Sequence, residues 1–196
     1  MVKSVEFYFD FGSPASYLAW TQLPGIAAQS GAELVYRPVL LGGIHKATNN
    51  ASPAAIPAKG AWMQIDLARY ARRYGVQYAH NPHFPINTLM LMRAATGAQM
   101  RDEQLFQRYV STVFRAMWEH PRDMGDLATV RAVFEGADLD SSLLFQLAED
   151  PVVKDRLKRD TEAAVARGLF GAPTMFVGDE MFFGQDRLDF VKEALR

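Results

Sequence analysis

One serine stands where a strand-like segment gives way to a helix-like one. The chain contains no cysteine, so it cannot form disulfides, bind a metal through thiolates or use a thiol of its own as a nucleophile. Ser13, between Gly12 and Pro14, is a good helix N-cap, and proline suits the first helical turn. The partial positive charge of a helix N-terminus stabilises an anion such as a thiolate. If thiol chemistry occurs here, the sulfur must therefore come from another molecule.

The Gly-Ser-Pro triplet by itself favours a structural role over a catalytic one. In the simplest interpretation Ser13 only caps a helix, and no Gly-x-Ser-x-Gly elbow surrounds it, which argues against a serine hydrolase. His80 and His83 are spaced closely enough to suggest a metal. However, the intervening Asn81-Pro82 breaks any helix, and no cysteine or carboxylate completes a ligand set. We therefore predict no metal site.

Composition restricts the partners that the chain can have. Its 196 residues suit one large domain or a small domain with an insertion. The formal net charge is −1, with scattered lysines and arginines, so we expect neither nucleic acid nor a membrane surface as a partner. No apolar run reaches about 18 residues, and the first residues lack the pattern of a secretory signal. We therefore expect a cytoplasmic protein.

The start of the chain has the pattern of a β-α-β unit. Residues 5–11 alternate and are rich in aromatic side chains, which indicates a strand. A helix is predicted from Pro14 to Gly31, with Pro24-Gly25 expected to kink or split it. Residues 33–39 indicate a second strand. Residues 41–59 show no strong periodicity, and we expect them to form an ordered binding loop.

Helical patterns fill the middle of the chain, and strands return only near its end. The predicted helices cover residues 62–74, 87–96, 102–118, 126–136, a segment from Asp140, and 151–168. Strands are predicted at 174–177 and 181–183 around a tight turn, before a last helix at 186–195. We therefore predict an α/β fold. A β-α-β … β-β-α domain (residues 1–40 and 170–196) is interrupted by an all-helical insertion (residues 41–169).

This order of elements is that of a thioredoxin-like domain, which has a cis-proline just before its third strand; Pro173 lies at that place. Five segments have a narrower resemblance. They are residues 9–19 (FDFGSPASYLA), 37–43 (RPVLLGG), 57–60 (PAKG), 83–88 (HFPINT) and 184–188 (GQDRL). In this order and spacing they resemble the 2-hydroxychromene-2-carboxylate isomerases, which are relatives of kappa-class glutathione transferases within the DsbA-like superfamily.

The resemblance implies a glutathione-dependent isomerase, active as a homodimer on a small aromatic acid in naphthalene-type catabolism. Transient addition of the glutathione thiolate, bond rotation and elimination would interconvert the two isomers. Ser13 is then the catalytic residue, because its family counterpart contacts the sulfur. The implied glutathione-binding residues are Ser13, Asn50, Lys59, Ala172, Pro173, Gln185 and Asp186. The candidates for contact with the substrate are Asn87, Tyr17, Trp62 and Phe84.

Structural interpretations stay open for several of these residues. Lys59 fits a solvated surface lysine and Asn50 a turn residue, while Asn87 and Asp186 each fit a helix cap.

Other functions also stay open. A conjugating, kappa-class-like glutathione transferase would use the same site. A disulfide oxidoreductase would need a Cys-x-x-Cys where this chain has Ser-Pro-Ala-Ser, and a non-catalytic peptide-binding module would not bind glutathione.

Overall fold

A four-stranded mixed sheet forms the frame of the molecule. The computed structural model describes residues 3–196; Met1 and Val2, which belong to the predicted 1–40 segment, lie outside the described residues. Strands β1 (Ser4–Phe9), β2 (Glu33–Pro38), β3 (Thr174–Val177) and β4 (Glu180–Phe183) are arranged in the order β2-β1-β3-β4. The first pair is parallel and the other two pairs are antiparallel. This is the sheet that the predicted β-α-β and β-β-α units require.

The crossover helix α1 (Pro14–Ser30) makes the first two strands parallel. It ends at Gly31, which has the left-handed conformation that favours glycine (φ 61°). The expected split at Pro24-Gly25 is wrong, because α1 is continuous through both residues. The buried face of the helix explains this: its packing against the sheet outweighs the backbone hydrogen bond that proline removes.

Eight further helices follow within residues 3–196, and four of them have a side-chain cap at their start. Asp102, Asp126, Asp140 and Asp150 each accept a backbone N–H of the first turn, as N-cap residues do. The helices are α2 (Leu41–Ala47), α3 (Pro57–Tyr74), α4 (Leu89–Arg101), α5 (Glu103–Trp118), α6 (Leu127–Glu135), α7 (Ser141–Glu149), α8 (Pro151–Ala166) and α9 (Leu188–Ala194), with short 3-10 turns at Pro53–Ala55 and Gln185–Arg187.

The segment 41–59 differs from its prediction as a loop, since α2 occupies its first third and α3 begins at Pro57. The start of α2 has no side-chain cap of its own. Two distant side chains take that role: the Leu40 N–H donates to Thr161 Oγ1 at 3.0 Å, and the Leu41 N–H donates to Asp10 Oδ2 at 2.8 Å. A helix fixed by tertiary contacts leaves no local signal, which is why the sequence pattern missed it.

The core joins the sheet to the helical segment. Phe7, Phe9 and Phe11 are fully buried and belong to one hydrophobic cluster with residues of α1, α4 and α5. A smaller cluster on the other face of the sheet contains Tyr8 and Phe176 together with residues of α2 and α8. The helices 41–169 therefore share a core with the sheet, and their definition as a separate domain stays a prediction.

Close packing of α4 on α7 can be tested with a pair of glycine substitutions. A Cβ at Gly97 would stand 2.7 Å from Leu147 Cβ, so we expect Gly97→Ala to destabilise the protein by about 1–3 kcal/mol. Gly25 lies in α1 with nothing near its absent side chain, so Gly25→Ala should instead stabilise by about 0.5–1 kcal/mol. Urea unfolding of both variants measures the difference. Equal effects would contradict the tight α4–α7 contact.

Candidate active site around Ser13 and the cis-proline

A buried carboxylate organises the carboxyl end of β1. Asp10 is 1% exposed; its Oδ1 accepts from the Gly12 N–H at 2.8 Å and from the Thr88 hydroxyl at 2.7 Å, and its Oδ2 accepts from the Leu41 N–H. Burial raises the pKa of this carboxyl above its usual 3.8, although the three hydrogen bonds act in the opposite direction. Asp10 thus joins the turn before α1 to the starts of α2 and α4.

Ser13 lies at the N-terminus of α1 and is 5% exposed. Its N–H donates to the Asp10 carbonyl at 3.0 Å. Its hydroxyl oxygen accepts from the Ser16 N–H at 3.1 Å and donates to the Ala172 carbonyl at 2.9 Å. The N-cap interpretation of Ser13 is therefore correct. The same hydroxyl also reaches across to the segment that precedes β3.

The Ala172-Pro173 peptide bond is cis, as predicted. The Pro173 carbonyl accepts from the Gly184 N–H at 3.0 Å, which brings the end of β4 beside the proline. Gly171 permits this approach, because a Cβ there would stand 2.7 Å from the Phe183 ring. Ser13, Ala172 and Pro173 therefore lie together, as the sequence predicted.

Gln185 and Asp186 follow directly after Gly184, in a 3-10 turn. Gln185 is buried, and its carbonyl accepts from the Tyr74 hydroxyl at 2.5 Å. Asp186 is exposed and forms an ion pair with Arg187. The prediction that the last helix begins at Asp186 is wrong: α9 begins at Leu188, after a turn that the capping signal alone could not distinguish from a helix start.

Asn50 and Lys59 lie on either side of the 3-10 turn at Pro53–Ala55. The Asn50 amide donates to the Phe170 carbonyl at 2.9 Å, and its side-chain oxygen accepts from the Ala51 N–H. Asn50 is therefore a turn residue that also ties its loop to the segment preceding the cis-proline. Lys59 is exposed in the first turn of α3 and forms no ion pair with any residue of 3–196.

The four candidates for substrate contact differ in accessibility. Trp62 is 60% exposed; Phe84 is half-buried against Trp118. Asn87 is exposed, and its side-chain oxygen accepts from the Leu89 N–H at the start of α4; the N-cap residue itself is Thr88, one position later. Tyr17 is 2% exposed and belongs to the core, and its hydroxyl donates to the Gln77 carbonyl. It borders a pocket with Trp20 and Tyr36 that does not include Ser13, and its contact with the substrate stays a prediction.

Three features of the site were not predicted. Asp10 and Thr88 lay within motifs that the sequence had picked out, but neither had been assigned a role. A second cis bond, Phe84-Pro85, lies just before Thr88. The signal that could have revealed Asp10 is a lone carboxylate at the end of an aromatic strand, directly before the Gly-Ser turn, where burial demands several donors.

Neither a metal-binding cluster nor a membrane-spanning helix is found among the described residues. Within residues 3–196 no three His, Cys, Asp or Glu side chains cluster as a metal site would require. No helix in the same range has the length and apolar character needed to cross a bilayer.

A family description of the DSBA-like thioredoxin domain matches residues 4–196. The chain belongs to this family. Among curated proteins it is similar to the 2-hydroxychromene-2-carboxylate isomerase of Sphingobium xenophagum, with 32% identity over 197 residues that cover 100% of this chain and 99% of the relative. The isomerase of Pseudomonas putida is 31% identical, and the match covers 97% of this chain and 93% of the relative. Human glutathione S-transferase kappa 1 is 27% identical, and the match covers 98% of this chain and 91% of the relative.

Solved structures give the same family. A 2-hydroxychromene-2-carboxylate isomerase structure superposes with a TM-score of 0.85 at 32% identity, covering 98% of this chain and 94% of that chain. A probable DsbA oxidoreductase from Streptomyces coelicolor has a TM-score of 0.72 at 18% identity, with 98% and 88% covered, and so supports the fold alone. The predicted thioredoxin-like α/β fold and the resemblance to the isomerases are both confirmed.

Protonation of Asp10 should make the stability of the protein depend on pH. The folded-state pKa of Asp10 lies above 3.8, so the native state binds more protons than the unfolded state at pH values between the two pKa values. The contribution of Asp10 to the free energy of unfolding therefore falls as pH rises through this range. Asp10→Asn leaves the Leu41 N–H facing an NH₂ group and should destabilise by about 1–3 kcal/mol. We expect the difference in unfolding free energy between wild type and variant to be largest below about pH 4 and to shrink as pH rises through the folded-state pKa of Asp10.

Urea unfolding of both proteins across this range measures the difference. Thr88→Val serves as the control, because it removes one donor and leaves the carboxylate in place. A difference that grows with pH would mean that the three hydrogen bonds outweigh burial, and the pKa direction would then be wrong.

Proposed function

We propose that this protein is a glutathione-dependent isomerase that interconverts 2-hydroxychromene-2-carboxylate and trans-o-hydroxybenzylidenepyruvate in the breakdown of naphthalene-type aromatic compounds. The relatives named 2-hydroxychromene-2-carboxylate isomerase, matched over nearly the full chain, support the isomerase reaction. The observation that carries the proposal is the Ser13 hydroxyl, held between the start of α1 and the Ala172 carbonyl beside cis-Pro173. That arrangement can receive a sulfur anion.

The relatives named glutathione S-transferase kappa support glutathione as the co-substrate. The local backbone fits such a tripeptide. The Ala172 N–H makes no hydrogen bond with any atom of residues 3–196, and an N–H beside a cis-proline can pair with an extended peptide as a strand does. The ammonium and carboxylates of glutathione would be met by Asp186 and Lys59, with Asn50 and Gln185 beside them.

Ser13 would stabilise the glutathione thiolate by turning its hydroxyl from the Ala172 carbonyl toward the sulfur. A free thiol has a pKa of about 8.5. A helix N-terminus contributes about 0.3–1 kcal/mol to an exposed anion and up to ~2 kcal/mol when the anion is partly buried. A hydrogen bond to a charged group adds about 1.5–3 kcal/mol. Since about 1.36 kcal/mol corresponds to one pKa unit, the thiolate becomes the main species near neutral pH.

When bound, glutathione would supply a nucleophile for the ring-opened form of the substrate. Addition of the thiolate to the conjugated carbon would give an enolate and a single bond free to rotate, and collapse of the enolate would reform the double bond and release the thiolate. The chain's own residues would hold the substrate during this exchange. The Asn87 amide can donate to the enolate oxygen, and Lys59 can bind the substrate carboxylate. Trp62 and Phe84 offer aromatic surface to the ring. Tyr17 would support this surface from within the core.

A conjugating, kappa-class-like glutathione transferase is the alternative that one observation favours, namely the kappa relatives at 25–27% identity. It would use the same serine and the same thiolate. The two activities differ in the fate of glutathione, because an isomerase regenerates it and a transferase consumes it.

A mass balance separates these activities. With 2-hydroxychromene-2-carboxylate as substrate, we expect conversion that depends on glutathione while the glutathione concentration stays constant. Chromatographic quantification of both compounds measures this. Loss of one glutathione per substrate would favour the transferase, and full activity without glutathione would contradict the proposed co-substrate.

Ser13→Ala should lower turnover by about 10- to 100-fold, because the thiolate loses a donor worth about 1.5–3 kcal/mol. The thiol pKa of bound glutathione, followed by thiolate absorbance, should rise with it. Ser16→Ala is a matched control: Ser16 is buried one turn along α1, and its hydroxyl has no partner among the described residues. A wild-type rate and an unchanged thiol titration in Ser13→Ala would remove Ser13 from the mechanism.

A homodimer and a cytoplasmic location stay predictions. Four partly exposed apolar side chains near the outer strand β4 offer surface for a second copy. They are Phe170, Met181, Phe183 and Phe190.

A further inference from the structure

A large cavity lies between α2, the start of α4, and α8, and the proposed reaction does not use it. Its volume is about 970 Å³, within the range of small-molecule sites. Ser13, Ala172 and Pro173 are not among the residues that line it. The cavity is therefore a separate place where the fold leaves room for a ligand.

The interior of this cavity is apolar. Its hydrophobic lining comes from Leu40, Ala47, Leu89, Pro151, Leu157 and Val165. The Thr161 hydroxyl, also in the lining, already accepts from the Leu40 N–H and donates to the Leu157 carbonyl. Because the Thr161 hydroxyl already has a donor and an acceptor, it does not need a hydrogen bond from a ligand. The interior of the cavity therefore favours an apolar group.

The charged residues around the cavity are unbalanced. Four cations and two carboxylates line it: Lys46, Arg93, Lys154 and Lys158 against Asp155 and Glu162.

Both carboxylates already have partners, since Glu162 pairs with Lys158 and Asp155 pairs with Arg159. Lys154 pairs with Glu149 outside the lining.

Two cations remain without an ion pair among residues 3–196, namely Lys46 and the half-buried Arg93. The nearby Glu149 is attracted by Arg93, but its main partner is Lys154. An apolar pocket with two unpaired cations in its wall is complementary to a hydrophobic anion. The planar guanidinium of Arg93 can bind a carboxylate through two parallel hydrogen bonds.

We propose that the α2–α4–α8 cavity binds a hydrophobic carboxylate, with the aromatic or aliphatic body inside and the carboxylate on Arg93 and Lys46. This site does not depend on the proposed isomerase activity. The cavity is connected to the Ser13 site through the residues that bind Asp10. Leu40 and Leu89 line the cavity, and their chain neighbours Leu41 and Thr88 donate to Asp10.

Calorimetric titration with 2-naphthoate tests the proposal on the whole protein. We expect a saturable site that persists in excess glutathione and in Lys59→Ala, a variant that would weaken binding at the proposed substrate contacts of the Ser13 site and does not touch the cavity. Arg93→Gln should weaken binding about tenfold or more, because a charge-assisted hydrogen bond is lost. The uncharged 2-naphthamide should bind correspondingly more weakly to wild type.

Arg101→Gln is the matched control, because Arg101 is exposed on the same helix and does not line the cavity. Ala47→Trp should block binding by filling the cavity; if that variant does not fold, the arginine pair still decides. Equal affinity of the two arginine variants, or no saturable binding, would overturn the proposal. Displacement of 2-naphthoate by glutathione would place it at the Ser13 site and would overturn it as well.

Discussion

The whole site depends on one buried carboxylate with three donors. Asp10 receives a backbone N–H from the turn before α1, a second from the start of α2, and the hydroxyl of Thr88 ahead of α4. A buried carboxylate without these donors would be too costly to retain. The three segments are therefore held at fixed positions, and the Asp10 carbonyl in turn receives the Ser13 N–H. This arrangement therefore fixes the position of Ser13 at the start of α1.

Ser13 links local and long-range structure. A cap residue normally satisfies only its own helix, but the Ser13 hydroxyl also donates to the Ala172 carbonyl, 159 residues away in the chain. The cap holds the oxygen in place, while the proton can change acceptor by simple rotation of the hydroxyl. A donor that is fixed in position and free in direction is what an incoming sulfur anion requires. Because the chain has no cysteine, a thiolate that used this donor would have to arrive with a ligand.

Elements with a local signal could be predicted, and those fixed by distant contacts could not. Asp126 and Asp140 marked their helices because an N-cap needs only residues three positions away. Pro173 could be placed because the order of elements defines its position before β3. In contrast, α2 depends on Asp10 and Thr161, and the role of Asp10 depends on segments up to 78 residues away. The packing of Tyr17 in the core could not be read from its motif either, because it depends on neighbours from other elements.

The helix α2 connects the two places where we propose that a ligand binds. Its first N–H is fixed on Asp10, and its last turn, with Lys46 and Ala47, forms a wall of the α2–α4–α8 cavity. A helix of only seven residues is too short to be stable alone, so its position is set by what holds each end. A ligand that contacts the last turn therefore acts on an element whose other end is bonded to the carboxylate behind Ser13. The position of α2 and the hydrogen bonds of Asp10 are thus linked, because any movement of the Leu41 N–H would change the bond that it donates to Asp10 Oδ2.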